Sequence, residues 1–172
     1  IFGYKRVFYQ GSPDHRGTPQ HPGRVVTLKR AEESSCEGLA FQIDLEEEQR
    51  IMAAMDQREI GGYARRQMGA LLLESHPGRE DQDQGTPIDN LWVYIATERN
   101  PHYLGFASPK QIAKEAIGRA GESGTNPEYI FALAKALREL HFEDPHVFAI
   151  ETALLEFMGP AGETDEPAPE PP

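Results

Sequence analysis

Hydrophobic positions change their spacing along this chain. In the first third they fall in short extended runs. Tyr4 to Gln10 is aromatic and extended, Arg24 to Leu28 (RVVTL) is rich in β-branched residues, and Cys36 to Ile43 alternates loosely. Each run predicts a strand. Gly11 to Gly23, between the first two, is crowded with Gly, Pro, Asp and His, which is turn chemistry. The spacing then shifts to three and four. Ile51, Met52 and Met55 share one face and predict a helix over Leu45 to Gln57, with Asp44 as its cap and Gly61-Gly62 as its stop. Tyr63 to Leu73 and Leu91 to Thr97 predict further strands, and the polar stretch Ser75 to Asn90 between them predicts an exposed loop.

Three helices close the pattern. Ser108-Pro109-x-Gln111 is a capping box with proline at the first helical position. Behind it Ile112, Ala113, Ala116, Ile117 and Ala120 form an apolar stripe that Gly121 stops. Asn126-Pro127 opens a second helix carrying Ile130, Leu133, Ala134 and Leu137 in register. Asp144-Pro145 opens a third, with Val147, Ile150 and Leu154. Strands first and helices last predict an α+β domain over residues 1–158, though periodicity does not decide between an open sheet and a closed barrel. Residues 159–172 are acidic and proline-rich and predict a disordered tail.

Composition narrows the function. The 172 residues suit one compact domain, and 38 % of them are apolar. No apolar run reaches the roughly 18 residues of a membrane span, and no signal peptide is visible. Cys36 is the single cysteine, which fits a reducing compartment such as the cytosol. It reads as a small buried residue of a strand rather than a nucleophile. Net charge is −11, and setting aside the four acidic groups of the tail leaves 24 acidic against 17 basic, or −7. Such a balance argues against nonspecific binding to nucleic acid or anionic membrane. It allows an anionic small molecule in a locally positive pocket.

Common catalytic signatures are absent from the sequence. No two of the six histidines have the i, i+4 spacing of a helical zinc site, and there is no HExxH, GxSxG or Walker A motif. Gly118, Gly121 and Gly124 fit a helix stop and loop better than a phosphate cradle. Three polar segments remain. Gln10 to Gly17 (QGSPDHRG) sits on a turn, Met55 to Tyr63 (MDQREIGGY) places Glu59 at a helix end beside two glycines, and Asn100 to Gly105 (NPHYLG) follows a strand. Each also has a structural reading: Asp14 and Arg16 as a turn pair, Glu59 as a solvated helix-end carboxylate, Tyr103 as a core-edge tyrosine.

Taken in order, GYKRVFYQGSPDHRGTPQHPGRVVTL (Gly3 to Leu28), MDQREIGGY, NPHYLG and GESGTNPEYIFALAKALREL (Gly121 to Leu140) resemble the ChaC family of γ-glutamylcyclotransferases. The resemblance implies a mixed β-barrel flanked by helices. It implies conversion of glutathione to 5-oxoproline and Cys-Gly in the cytosol, with no metal or cofactor. The implied partner is that small molecule alone, bound by a monomer, with neither nucleic acid nor membrane. By motif, the family's catalytic glutamate falls on Glu59, and the tyrosine of its YLGP-like segment, a substrate-pocket residue, falls on Tyr103. The chain departs from the family pattern in lacking the N-terminal strand and Tyr-Gly-Ser-Leu loop whose backbone amides wrap the γ-glutamyl group. The expectation is that this segment lies upstream of Ile1. Two alternatives stay open: a catalytically inactive binding protein without the loop, and an enzyme for other γ-glutamyl amides.

Overall fold

The computed structural model describes residues 1–59, 61–73 and 85–159. Its elements run β1 (Phe2–Ser12), β2 (Gly23–Ser35), α1 (Glu48–Arg58), β3 (Ala64–Leu72), β4 (Thr86–Ile95), α2 (Pro109–Ala116), β5 (Ala120–Gly121), β6 (Gly124–Thr125), α3 (Asn126–Glu139) and α4 (Pro145–Met158). The order is that of an α+β domain. Among the described residues the strands pair as three antiparallel two-stranded ladders, β1–β2, β3–β4 and β5–β6. Among the described residues these ladders are joined by both side-chain and backbone bonds. Thr27 Oγ1 of β2 donates to Ala96 O (2.8 Å) and accepts from Ala96 N (2.9 Å), just beyond β4. The free edge of β1 meets the turn after β4, where Gly11 N donates to His102 O (2.8 Å) and Leu104 N to Tyr9 O (2.8 Å).

The core lies between the β1–β2 hairpin and three helices. Ile112, Ala113 and Ala116 of α2, Ile130, Ala134 and Leu137 of α3, and Val147, Ile150, Ala153 and Leu154 of α4 close around Phe8 of β1. The helical spacing of these positions is what collects them on one side. Each large side chain so buried contributes about 1.5–3 kcal/mol. Among the described residues no helix is long and apolar enough to cross a membrane.

Several elements differ from the sequence expectation. Cys36 to Ile43 is irregular, because its alternating residues find no strand to pair with; Phe41 is 83 % exposed. Helix α1 begins at Glu48, with Glu47 at the cap position and no side-chain cap bond, so Asp44 does not cap it. β4 starts at Thr86, inside the stretch expected to be loop, because Thr86, Pro87 and Ile88 pair with Leu72, Leu71 and Ala70. The rest of that expected loop, 75–84, lies outside the described residues, as do residues 160–172 of the expected tail. Helix α2 ends a turn early, with Gly118 in the left-handed region at φ +76°. Gly121 serves close approach instead, since a Cβ there would overlap the carbonyl of Asp14.

Candidate active site

Glu59 is the residue that ends α1. Its N–H still donates to Met55 O (2.9 Å), and its backbone then leaves the helix at ψ 19°. The side chain is 25 % exposed and, among the described residues, pairs with Arg58, Nε to Oε1 3.8 Å, on a side chain that faces water. Such a pair is weak, so the carboxylate remains available. The turn that follows is held from two sides. Gly61 O accepts from Asn100 Nδ2 (3.2 Å) and, at 3.5 Å, from Gln10 Nε2. Gly62 takes φ +95°, and a Cβ there would overlap the Asn100 amide. The pair of glycines thus has a physical reason at its second member: only glycine fits both the conformation and the space.

Tyr63, next in the chain, turns its hydroxyl onto Val26 O of β2 (2.6 Å), and Val26 N donates to Tyr129 Oη of α3 (3.3 Å). One residue of β2 therefore brings two phenols together. Burial holds the Tyr63 phenol above its ordinary value, and Tyr129 and the charge of Glu59 push the same way. Burial also raises Tyr129, opposed by the Val26 N–H and by Arg6 and Arg16, with Glu59 again raising it. Both phenols stay protonated near neutrality and sense Glu59. The three groups come from α1, the turn after it, and α3.

Behind them stands Gln10, 1 % exposed. Its Nε2 donates to Gly11 O (3.1 Å), and the two carbonyls it faces fix which end of the amide is which. Its Oε1 is buried without a hydrogen-bond partner among the described residues.

The sequence expectation placed two residues in the site. Glu59 ends α1 just before Tyr63, and its charge raises the phenols of Tyr63 and Tyr129. Tyr103 keeps different company: its ring packs edge-on against Tyr9 (6.3 Å), and burial raises its phenol, lowered by Lys29 and raised by Glu98. The two are linked through the backbone, since Tyr103 N donates to Asn100 O (3.0 Å) and Asn100 holds Gly61. Tyr63, Tyr129, Gln10 and Asn100 were not singled out from sequence. All four fall inside the four segments that carried the resemblance, but nothing local marks them, because their partners are distant in the chain.

Cys36 is partly exposed just past β2, and burial pushes its thiol up, which disfavours the reactive thiolate. It borders a cavity of about 410 Å³ together with Arg6, Phe106, Asp144 and His146, a lining that includes neither Glu59 nor the two phenols. That cavity is separate from the candidate site.

A family model described as ChaC-like protein matches residues 1–156. Gamma-glutamylcyclotransferase 2-3 of Arabidopsis thaliana is 37 % identical over 169 residues, covering 96 % of this chain and 81 % of that protein. Glutathione-specific gamma-glutamylcyclotransferase 1 of Danio rerio is 38 % identical over 164 residues, covering 93 % and 79 %. A crystal structure of a glutathione-specific γ-glutamylcyclotransferase from yeast superposes with a TM-score of 0.77 at 24 % identity, covering 91 % of this chain and 86 % of that one, a likeness of fold.

Proposed function

This chain belongs to the ChaC-like family, and on that premise we propose that it is a γ-glutamylcyclotransferase degrading glutathione to 5-oxoproline and Cys-Gly. The observation that carries the reading is Glu59, a partly buried carboxylate at a helix end whose ion pair among the described residues is a loose one with Arg58, and whose charge acts on the phenols of Tyr63 and Tyr129. In this reaction the substrate's α-amine attacks its own γ-carbonyl carbon. A carbon–nitrogen bond closes the five-membered ring, and the amide bond to Cys-Gly breaks. Both reacting groups belong to one molecule, so the site's first task is to hold it folded. Orientation of that kind is worth roughly 7–11 kcal/mol. The amine is mostly ammonium at neutral pH and needs a base. Glu59 takes that proton and returns one to the departing Cys-Gly nitrogen.

We assign Tyr103 to the substrate pocket, and residues 1–158 to a ChaC-like catalytic domain acting as a monomer. The lone Cys36 supports a cytosolic setting, where glutathione and reduced thiols coexist. Release of Cys-Gly from glutathione tests the reading. Glu59→Gln is expected to lower kcat by about 10²–10⁴-fold, the usual worth of acid–base catalysis, with an unchanged melting temperature. Retention of more than about a tenth of the rate, well short of that loss, removes Glu59 from the role. Tyr103→Phe in the same assay is expected to raise KM more than it lowers kcat; an unchanged KM takes Tyr103 out of the pocket. Parallel rates on γ-glutamyl amino acids decide the leaving group.

A further inference from the structure

Helix α1 buries little of itself. Met52 is its one buried side chain among the described residues, and Glu47 makes no side-chain cap bond at its start. Its last turn must still keep Glu59 in place, because the proposed reaction depends on orientation. Met52, Asp56 and Glu59 are spaced four and three residues apart, which puts them on one face of the helix. Asp56 meets the β3–β4 hairpin with both carboxylate oxygens. Its Oδ1 accepts from Tyr94 Oη (2.6 Å), and its Oδ2 pairs with Arg65 Nη1 (3.3 Å).

The hairpin presents these two partners together. Arg65 and Tyr94 stand opposite each other in the ladder, so their side chains leave the same face of it. Trp92, two residues before Tyr94, shares that face, and the Arg65 guanidinium carbon lies 5.0 Å from its ring centroid. Stacking on the ring restrains the guanidinium beside Asp56. Burial pushes the Tyr94 phenol up to about 12, with the Asp56 hydrogen bond and charge adding to the shift and Arg65 opposing it. The hydroxyl therefore remains a donor at neutrality and well above it.

Asp56 and Arg65 bracket the stretch that carries Glu59. Within it Gly61 O is held by Asn100 and Gln10, and the Tyr63 hydroxyl by Val26 O. Those bonds fix the turn after Glu59, whereas Asp56 acts on the helical turn before it. The Asp56 and Arg65 side chains are 48 % and 33 % exposed, so their ion pair is weak by itself, and the short bond from Tyr94 makes the attachment firm. We propose that Asp56, with Tyr94 and Arg65, is the positioning clamp of Glu59: it pins the last turn of α1 to the β3–β4 hairpin and so sets where the carboxylate points. The proposal rests on the γ-glutamylcyclotransferase reading above.

Kinetics of Cys-Gly release by the full chain test the clamp. Tyr94→Phe is expected to lower kcat about 10-fold, short of the ~10²-fold that a misplacement of about 1 Å can cost, with KM unchanged. Asp56→Ala is expected to match it. Asp56→Asn keeps an oxygen for the Tyr94 hydroxyl and is expected to recover most of the rate. Calorimetric binding of glutathione to the Glu59→Gln chain is expected to be the same with and without Tyr94→Phe, because the clamp acts through Glu59 and not on the substrate. Exchange of the Glu59 amide, which donates to Met55 O, is expected to quicken about 3–10-fold in Tyr94→Phe while α3 and α4 are unaffected. An unchanged kcat in both Tyr94→Phe and Asp56→Ala overturns the proposal. So does a loss confined to KM, a weaker affinity in the Glu59→Gln chain, or an unchanged Glu59 amide. If the unaltered chain releases no Cys-Gly, the catalytic reading fails by itself, and the Glu59 amide alone decides the clamp: quickened exchange keeps it as a device that holds this carboxylate, and unchanged exchange removes it.

Discussion

Gly62 sets the geometry that follows Glu59, and two independent facts make it irreplaceable. Its φ of +95° is strained for any other residue, and the Asn100 amide occupies the volume of a side chain. Asn100 cannot simply withdraw, because its Nδ2 holds Gly61 O (3.2 Å) while its Oδ1 accepts from His102 N (2.8 Å). Gly62→Ala is therefore expected to cost about 1–3 kcal/mol of stability in urea unfolding and to lower Cys-Gly release by displacing Glu59. Combining it with Asn100→Ala relieves the overlap and leaves the backbone strain. Recovery of activity in the double variant is expected to be partial. Full activity in Gly62→Ala alone would mean that the turn does not position the carboxylate. Gly61 is different: nothing crowds a Cβ there, and its use to the site is its carbonyl.

The start of α4 concentrates several roles in three residues. Asp144 accepts from Val147 N (3.0 Å) as the cap and pairs with Arg6 of β1, tying the helix to the hairpin. His146 is the second residue of the helix, its ring 6.1 Å from Phe8 and its Nε2 buried without a hydrogen-bond partner among the described residues. Burial lowers its pKa, with Lys5 adding to the shift and Asp144 opposing it. The unfolded imidazole titrates near ~6.5. Below that pH the unfolded chain takes up a proton that the folded chain resists, so His146 contributes stability above the unfolded value. That contribution is lost as pH falls toward the folded one. His146→Phe is expected to flatten the decline of melting temperature between neutral pH and about 5 on this account. An unaltered slope would place the acid sensitivity elsewhere. The same helix shows what can be read locally. Ser108 and Asp144 cap as expected, because a cap and the N–H it serves lie three residues apart. α3 opens at Asn126 as expected, with Thr125 capping it in a box with Glu128, and the Asn126 amide spans Arg24 N (2.8 Å) and Arg24 O (2.7 Å). A partner 102 residues away leaves no trace in local spacing. Cys36 to Ile43 fails for the opposite reason: alternation predicts a strand only where another strand stands ready to pair.

At the scale of the molecule, Glu59 sits where a firm part meets a loose one. Phe8 and the inner faces of α2, α3 and α4 form a continuous buried cluster. In β3 and β4, by contrast, only Ile95 is buried, and in α1 only Met52. Hydrogen bonds that tie the second part to the first include Tyr63 to Val26, Thr27 with Ala96, Gln10 to Gly61, and the backbone bonds from β1 to the turn after β4. Fold class was legible in the sequence because the element pattern resides in contiguous segments; this joint was not, because its bonds link segments far apart in the chain. Regions with little apolar burial open at low free energy, without unfolding the whole. Native-state hydrogen exchange is expected to show α1, β3 and β4 exchanging by local opening, while α2, α3, α4 and β1 exchange only near the global unfolding limit. Glutathione bound to the Glu59→Gln chain is expected to slow exchange at Glu59, Gly61, Gly62 and Tyr63, because a ligand spanning both parts stabilises the joint by mass action. Uniform protection across the chain would deny the division. Protection on binding that bypassed these four amides would move the substrate away from Glu59 and count against the acid–base role proposed for it.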